Sequence, residues 1–438
     1  MKIREITMKV SDGALDQTLT KLYGRQSKEL ERYRSRIVQL VQGFRQNFAA
    51  DAETELMVFS APGRTELGGN HTDHQGGLVL TASVDLDMLA AVVQNESGVI
   101  RLFSPEFGMT RIETSDPDLI EEEKGTTAAL IRGMICGCRK RAEEAGYPYT
   151  AKDPAGFDAY VLSDVPGGSG LSSSACFEIL LGTVISGLFY ENAFSPLEIA
   201  KIGQYAENVY FGKPSGLLDQ MGCGIGGILG IDFASEEEPD LRQLQFDFES
   251  AGYALMVIDT GGDHSRLTPF YAAVPEEMRA VAREFGETKL SRVEESRFLK
   301  AIPKLREKTG DRAVMRALHY YAECRRVREQ IRALENKDME RFLQLVKESG
   351  ASSFQYLQNV DTYEDPARQN VAFALAFAER ILEGKGAVRV HGGGFAGTIQ
   401  AYVPLLEAEA FQEEMDRVLG FGSCRKIHIR PCGGVRLI

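Results

Sequence analysis

Hydrophobic and polar residues alternate with different periods along this chain. Apolar residues recur every three to four positions among charged ones in several stretches, which predicts amphipathic helices. The predicted helical stretches are 15–50, 126–145, 273–350 and 365–384. Apolar and β-branched runs predict strands between them. The predicted strands are 56–60, 79–89, 89–94, 99–103, 157–165, 253–259, 387–391, 398–403 and 426–430, with a glycine-loosened turn and strand at 222–232.

The order of these elements predicts an α+β fold. Runs of strands with long interspersed helices lack the regular alternation of a doubly wound parallel sheet. Because 438 residues exceed one ordinary hydrophobic core, two domains are expected. We predict an N-terminal helical extension over 1–50, a first domain over 51–240 and a second over 241–438. The functional site is expected in the cleft between the two domains.

Composition restricts the partners that this fold would serve. The net charge is −13, which disfavours nucleic acid or an anionic membrane as the main partner. The N-terminus lacks the apolar core of a secretory signal, and no apolar run reaches the roughly 18 residues of a membrane helix. Seven cysteines without a C-x-x-C pair indicate reduced thiols. We therefore expect a cytoplasmic protein that binds small molecules, as a monomer or weak homodimer.

A glycine- and serine-rich loop follows the strand at 157–165 and precedes a helical pattern. Backbone N–H groups at such a helix start can bind phosphate. Gly167, Gly168 and Gly170 allow a close approach of the ligand, and the serines at 172–174 add hydroxyls for phosphate or Mg²⁺. The loop lacks the lysine of a Walker P-loop. The alternative is a serine-capped helix after a tight turn.

A second polar cluster lies among glycines at 61–77, between two apolar strands. Such groups are costly to bury unless they bind something, and they suit the hydroxyls of a sugar or polyol. A structural turn is one alternative. A metal site built from His71, Asp73 and His74 is another. The cluster consists of Arg64, Glu66, Asn70, His71, Asp73 and His74.

Two carboxylates flank a turn at 212–216. Glu207 lies near the end of a helix that begins with Ser195, a predicted N-cap, and Asp219 precedes the next apolar element. Taken singly, they are readily explained as a solvated helix face and an N-cap. Together they fit phosphoryl transfer, which needs one group to hold Mg²⁺ and one beside the nucleophilic hydroxyl.

A fourth segment, Arg389-Val-His-Gly-Gly-Gly-Phe-Ala-Gly-Thr, by itself indicates no more than a hairpin. The four segments in this order resemble the GHMP kinases of sugars and isoprenoids, and within them the galactokinase family. Residues 263–265 followed by Tyr271 add to the resemblance, which runs from Ala61 to the C-terminus. It implies a two-domain GHMP kinase fold, whose first domain has a sheet like that of ribosomal protein S5, and transfer of phosphate from ATP to galactose.

The resemblance also implies roles for individual residues. Asp219 would accept or orient the proton of the anomeric hydroxyl, and Arg64 would keep it ionised. Ser174, with Ser173 as a further candidate, and Glu207 would hold Mg²⁺. The sugar would contact Asn70, His71, Asp73, Gly216 and Tyr271. ATP would contact Gly167, Gly168, Gly170, Leu171, Ser172 and Ser173. Transfer would be direct, without a phosphoenzyme.

This sequence departs from the family pattern at three positions. Asn70 replaces a glutamate, His74 replaces a tyrosine, and Glu66 stands where an asparagine is usual. An amide donates as well as accepts, so the preferred hydroxyl pattern can change. Kinases of another hexose, a pentose or an N-acetylhexosamine therefore stay open, as does a sugar- and ATP-sensing regulator. An isoprenoid substrate is disfavoured because residues 64–74 are strongly polar.

Overall fold

The computed structural model describes residues 1–24, 30–152, 154–167, 170–213, 215–235, 238–262 and 267–438. The helices are α1 (Ile3–Ser11), α2 (Asp16–Tyr23), α3 (Glu31–Phe48), α4 (Thr127–Ala145), α5 (Ser173–Phe189), α6 (Pro196–Tyr205), α7 (Leu218–Gly224), α8 (Thr268–Arg283), α9 (Glu295–Thr309), α10 (Asp311–Glu335), α11 (Met339–Ser352), α12 (Asn370–Leu382) and α13 (Ala408–Leu419). The strands are β1 (Met57–Gly68), β2 (Leu78–Asn95), β3 (Val99–Ser104), β4 (Gly108–Glu113), β5 (Gly156–Ser163), β6 (Ile228–Asp232), β7 (Asp240–Leu244), β8 (Tyr253–Asp259), β9 (Ala387–Val390), β10 (Thr398–Pro404), β11 (Cys424–Ile427) and β12 (Val435–Arg436).

Two sheets organise the described chain, which confirms the α+β prediction. The larger has the strand order β12-β1-β2-β5-β3-β4, and β6 and β7 continue it from a separate stretch of β2. The pair β3–β5 is parallel, and the other pairs of this sheet are antiparallel. The smaller sheet has the antiparallel order β11-β8-β10-β9.

Several predicted elements differ in extent from those observed. The strand predicted over 56–60 continues to Gly68, because a register shift between Pro62 and Arg64 lets β1 pass the proline. The two predicted strands at 79–94 form the single long strand β2. Residues 218–224, expected in part as a turn, form helix α7. These differences arise because sheet pairing and packing override local turn signals.

The predicted helix ends agree with the structure more closely than the predicted extents of the strands. Gly146 adopts a left-handed φ of 70° after α4, as expected for its C-cap. Ser195 and Glu198 form the reciprocal capping box predicted for α6. That helix continues as a π-helical segment over Ala206–Phe211 and ends at Gly212, which also has positive φ. The predicted helix through Glu207 is therefore confirmed.

Strand alternation divides the apolar residues between the two faces of the larger sheet. Val58 and Leu89 face α1–α3, whereas their neighbours Phe59 and Ala90 face the core that includes α4–α7. The predicted N-terminal helices thus cover one face of the sheet, and α1 adds a helix that the pattern did not predict. Packed together, these helices bury the outer face of β2 and β5.

Charge as well as packing attaches the N-terminal helices to the sheet. Asp87 of β2 is fully buried and accepts hydrogen bonds from Tyr23 at 2.7 Å and Ser60 at 2.6 Å. It also pairs with Arg36 of α3, and with Arg430 at 2.9 Å. Burial raises the pKa of Asp87, but the two arginines lower it by more, so that the carboxylate is ionised.

We expect Asp87→Asn to lower the free energy of unfolding by about 3–5 kcal/mol, because it leaves Arg430 buried without a counter-charge and Arg36 with Asp164 alone. Urea denaturation would measure the loss. Lys152→Gln is the matched control, since it breaks an exposed ion pair with Glu96 worth less than about 1 kcal/mol. Equal losses for the two variants would contradict the assignment of Asp87 as the anchor.

The second half of the chain surrounds the smaller sheet and returns to the larger one. Helices α12 and α13 pack on the smaller sheet, while α8–α10 share a separate apolar cluster. Strand β12 pairs with β1, and β7 with β6, so both belong to the larger sheet. The division at 240/241 stays a prediction. All seven cysteines are free thiols. Within the described ranges, no helix combines the length and apolarity needed to cross a bilayer.

Candidate active site

A cleft of about 470 Å³ lies where β1, the N-termini of α5 and α7, helix α8 and the β9–β10 turn meet. Residues distant in sequence come together there. The predicted site residues that line it are Arg64, His71, Asp73, Gly170, Ser172, Ser173, Ser174, Gly216, Asp219 and Tyr271. Gly168 and residues 263–265 lie outside the described part of the chain. Glu66 and His74 of the predicted polar cluster also line the cleft. The described residues that were predicted for the site but do not line it are Asn70, Gly167, Leu171 and Glu207.

Asp219 is held at the cleft by two side chains. Arg64 donates from Nε at 2.9 Å and Nη2 at 2.6 Å to Oδ1, and the Ser172 hydroxyl donates to Oδ2 at 2.5 Å. Burial raises the pKa of Asp219, but Arg64 and Ser172 lower it by more, leaving it below its ordinary value. Leu217 occupies the N-cap position of α7, so the N-cap explanation of Asp219 is wrong. An ionised carboxylate therefore faces the cleft.

The predicted phosphate loop leads into a helix start that has no side-chain cap. Ser172 occupies the N-cap position of α5 with a left-handed φ of 59°, yet its hydroxyl bonds to Asp219 rather than capping the helix. The first N–H groups of α5 thus lack a side-chain cap at the cleft, where phosphate oxygens can accept from them. Gly170 must be glycine, because a Cβ there would lie 2.4 Å from Oγ1 of Thr398.

Two predicted ATP contacts are set back from the lining. Leu171 is almost fully buried, and its carbonyl oxygen accepts the backbone N–H of Arg64 at 3.1 Å. It can therefore support the loop from below. Gly167 belongs to the loop but not to the cleft lining. Their contact with ATP stays a prediction.

Glu207 lies directly behind Ser174 and is 1% exposed, so the solvated-face explanation is wrong. Its Oε1 accepts from the Ser174 hydroxyl at 2.8 Å and from Nζ of Lys213 at 2.7 Å. Its Oε2 accepts from Ser215 at 2.6 Å and from Gln220 at 2.9 Å. The π-helical segment around Glu207 is a feature found often at functional sites. This carboxylate is buried, oriented and adjacent to the phosphate loop.

The loop after β1 presents His71 and Asp73 to the cleft. His71 has a left-handed φ of 57°, and its Nε2 bonds to the carbonyl oxygen of Gly393 at 2.9 Å. Burial lowers the pKa of His71 to about 4 and raises the pKa of Asp73 to about 6. The imidazole is therefore neutral at pH 7. In the described residues, no group of three or more His, Cys, Asp or Glu side chains could hold a metal, so the alternative metal site is not supported.

Asn70 requires a correction, because the structure does not place it in the lining. It is fully buried, and Nδ2 donates to the carbonyl oxygen of Gly392 at 2.7 Å and to Glu66 at 3.1 Å. Its Oδ1 accepts from Asn359 at 2.7 Å and from Ser353 at 3.2 Å. Because both ends of the amide are engaged by protein, the position does not support the predicted contact with sugar.

Two further predicted contacts are set by close packing. The Tyr271 hydroxyl donates to the carbonyl oxygen of Gly394 at 3.0 Å, so α8 and the β9–β10 turn form one wall. Gly216 faces Asp73, and a Cβ there would lie 2.0 Å from a carboxylate oxygen. A larger residue at position 216 would require the Asp73 carboxylate to move.

Sequence reasoning missed several lining residues, among them His391, Thr398, Lys213 and Ser215. The His391 Nε2 accepts the backbone N–H of Glu66 at 3.2 Å, and Nδ1 bonds to Thr398 at 2.9 Å. Their only signal was adjacency to the glycine segments at 392–397 and 212–216. A lone histidine or lysine beside a glycine is too common to be singled out.

Comparison with known proteins places this geometry in context. A sequence model described as "Galactokinase galactose-binding signature" matches residues 42–94, and one described as "GHMP kinases N terminal domain" matches residues 131–227. A galactokinase of Streptomyces coelicolor is 28% identical over 399 residues, covering 90% of this chain and 96% of its own. One of Actinobacillus pleuropneumoniae is 29% identical, covering 86% and 94%.

Solved structures share the fold. Lactococcus lactis galactokinase complexed with galactose has a TM-score of 0.76 at 23% identity, covering 91% of this chain and 99% of its own. Methanococcus jannaschii mevalonate kinase has a TM-score of 0.59 at 17% identity, covering 86% and 99%. The fold is thus common to a galactokinase and a mevalonate kinase, so the fold alone does not determine the acceptor.

Proposed function

Because this chain belongs to the GHMP kinase superfamily and galactokinases match it over most of its length, we propose that it transfers phosphate from ATP to the anomeric hydroxyl of galactose. The observation that carries the proposal is the pairing of Asp219 with Arg64 beside the open N-terminus of α5. An ionised carboxylate and a phosphate-binding helix start then share one cleft. Direct phosphoryl transfer needs these two parts in contact.

The chemistry is an in-line exchange of one phosphorus–oxygen bond for another. The anomeric hydroxyl gives its proton to Asp219 as its oxygen attacks the γ-phosphorus, and the bond to the β–γ bridging oxygen breaks to release ADP. Arg64 stabilises the negative charge that spreads over the transferred group. The N–H groups at the start of α5 hold the phosphates in position. Positioning and electrostatics supply the rate.

The residues behind the phosphate loop suit a magnesium ion. Hydroxyl and carboxylate oxygens are preferred ligands of Mg²⁺, which takes few protein ligands and completes its shell with phosphate and water. The Ser174 hydroxyl lines the cleft, and Glu207 lies behind it with Oε1 at 2.8 Å. Glu207 would hold the ion by giving up one of its present hydrogen bonds. When bound, the ion would neutralise charge on the β- and γ-phosphates. Lys213, ion-paired with Glu207, adds a positive charge at the same edge.

The sugar contacts, the cellular location and the oligomeric state are also proposals. His71, Asp73, Gly216 and Tyr271 line the cleft and are proposed to surround the sugar. A cytoplasmic location and a monomeric or weakly dimeric state are kept as expectations. The regulator alternative is not favoured, because Asp219, Arg64 and the α5 N-terminus are assembled in one place.

A coupled assay of ADP release with a panel of sugars tests the proposed function. We expect galactose to be used with a kcat/KM about 10²-fold or more above that of glucose, because an epimer leaves a polar group in the site unpaired. Excess EDTA should abolish turnover, and added Mg²⁺ should restore it. Robust turnover of another sugar without galactose turnover would overturn the choice of acceptor. Sugar binding without any turnover would favour the regulator.

A further inference from the structure

The carboxylate of Glu66 faces the cleft although the residue is only 5% exposed. Its Oε1 accepts from Nδ2 of Asn70 at 3.1 Å and also from Nη2 of Arg389. Among the described residues, its Oε2 has only a longer contact of 3.4 Å with the same amide. A carboxylate oxygen has two acceptor sites, so Oε2 keeps the capacity to accept a hydrogen bond from a ligand.

Asn70 lies behind Glu66 as a support. Its amide is fixed by Asn359 on one side and by the carbonyl oxygen of Gly392 on the other. The His319 Nε2 bonds to the backbone oxygen of Asn70 at 2.9 Å, which fixes the main chain at the same point. Because these partners come from the second half of the chain, the support joins β1 to the β9–β10 turn.

Of the two side chains Glu66 and Asn70, the charged one lines the cleft. Arg389 is fully buried, and its ion pair with Glu66 supplies a counter-charge for a carboxylate at position 66. No carboxylate occupies position 70, where the sequence has an amide. The acceptor-only group therefore points at the ligand, and the amide, which also donates, points into the protein network.

Glu66 also lies at a useful distance from the reacting end of the cleft. Arg64 and Glu66 are two residues apart on β1 and point to the same side, about 7 Å apart along the strand. Arg64 pairs with Asp219, so the anomeric hydroxyl belongs at that end. A hexose that spans the two would place a hydroxyl remote from its anomeric carbon beside Glu66.

We propose that Glu66 accepts a hydrogen bond from a sugar hydroxyl remote from the anomeric carbon, with Asn70 and Asn359 as positioning residues. Glu66 is then the specificity-determining carboxylate, in place of the predicted contact through Asn70. This inference rests on the proposed sugar kinase function. It identifies the acceptor as a sugar with a free hydroxyl at that position.

The test pairs Glu66→Gln with galactose and its monodeoxy derivatives, each of which lacks one hydroxyl. We expect Glu66→Gln to lower kcat/KM for galactose by about 10- to 100-fold, with the KM for ATP unchanged. For the one derivative that lacks the bonded hydroxyl, the same substitution should cost less than about 3-fold, because the contact is already absent. An equal loss for every derivative would overturn the proposal.

Asn359→Ala tests the positioning role, since Asn359 supports Asn70 without lining the cleft. Because it acts through Glu66, it should lower kcat/KM for galactose and cost less for the derivative that lacks the bonded hydroxyl. Lys152→Gln, which breaks only an exposed ion pair with Glu96, is the matched control and should leave kcat/KM within about 2-fold for every sugar. Thermal melting checks that each variant is folded. If Glu66→Gln does not fold, Glu66→Asp takes its place in the test. Wild-type protein inactive on galactose would refute the proposed acceptor alone. The comparison of wild type with Glu66→Gln would then use monodeoxy derivatives of the sugar that the panel identifies. The loss should again be smaller for one derivative than for the others.

Discussion

Asp219→Asn is expected to lower kcat for sugar phosphorylation by about 10³-fold, within the usual contribution of a general base. The amide keeps the shape of the side chain but cannot accept the proton of the anomeric hydroxyl. Arg64 and Ser172 both donate to the wild-type carboxylate, so the variant also turns an NH₂ group toward one of these donors. Steady-state kinetics with saturating ATP and sugar would measure the loss.

Asp311→Asn provides the control for this substitution. Asp311 lies at the start of α10, is exposed and pairs only with Arg306 among the ion pairs of the described chain. It should leave kcat within about 2-fold, since exposed ion pairs contribute little. If Asp219→Asn kept more than a tenth of the wild-type kcat while folded, Asp219 would not be the proton acceptor.

Arg64→Met is expected to lower kcat by about 10³-fold or more, the scale of an arginine that stabilises a transferring phosphoryl group. Methionine cannot replace the hydrogen bonds to Asp219, nor the one to the carbonyl oxygen of Gly170. The loss should be in kcat as well as in kcat/KM, because the charge that Arg64 stabilises develops in the transition state.

The same variant should change the pH profile in a defined direction. In the wild type, Arg64 helps to hold the pKa of Asp219 below its ordinary value, so Asp219 is protonated only when the pH drops through that lowered pKa. Burial raises the pKa of Asp219 and the guanidinium lowers it, so removal of the guanidinium raises the pKa. The acidic limb of kcat/KM should therefore move to higher pH.

Arg101→Met is the matched control, because Arg101 pairs with Asp158 outside the cleft. Its kcat and acidic limb should stay at the wild-type values. An Arg64→Met profile that superimposes on the wild type would show that Arg64 does not set the ionisation of Asp219. Arg64→Lys serves where the methionine variant fails to fold, and it should lose the bidentate contact while keeping the charge.

Sequence reasoning was most successful where local signals coincide. The Ser195 capping box, the C-cap at Gly146 and the strand–loop–helix around Ser172 were all placed correctly. The motifs also identified Arg64 and Asp219, which lie 155 positions apart and form an ion pair in the structure. Each motif is detectable because chemistry restricts the residue types at the closely spaced positions within it.

Other features could not be predicted in this way. The polarity of Asn70 marked it as a ligand contact, but its amide is consumed by Asn359 and Gly392. The Ser172 hydroxyl was expected to meet phosphate or cap a helix, yet it bonds to Asp219. In each case the competing partner comes from a distant segment. The residues on either side of a polar side chain do not predict which group of a distant segment will bond to it.

The sequence by itself determined the fold class and the strand–loop–helix at Ser172, because periodicity and caps are local properties. Its resemblance to the galactokinase family predicted the type of reaction. Only the tertiary structure decided which side of the Glu66–Asn70 pair faces the cleft. A polar side chain either binds a ligand or satisfies a buried partner, and that choice depends on what packs behind it. Here Arg389 lies beside Glu66 and Asn359 lies behind Asn70, so the carboxylate of Glu66 lines the cleft and the amide of Asn70 does not.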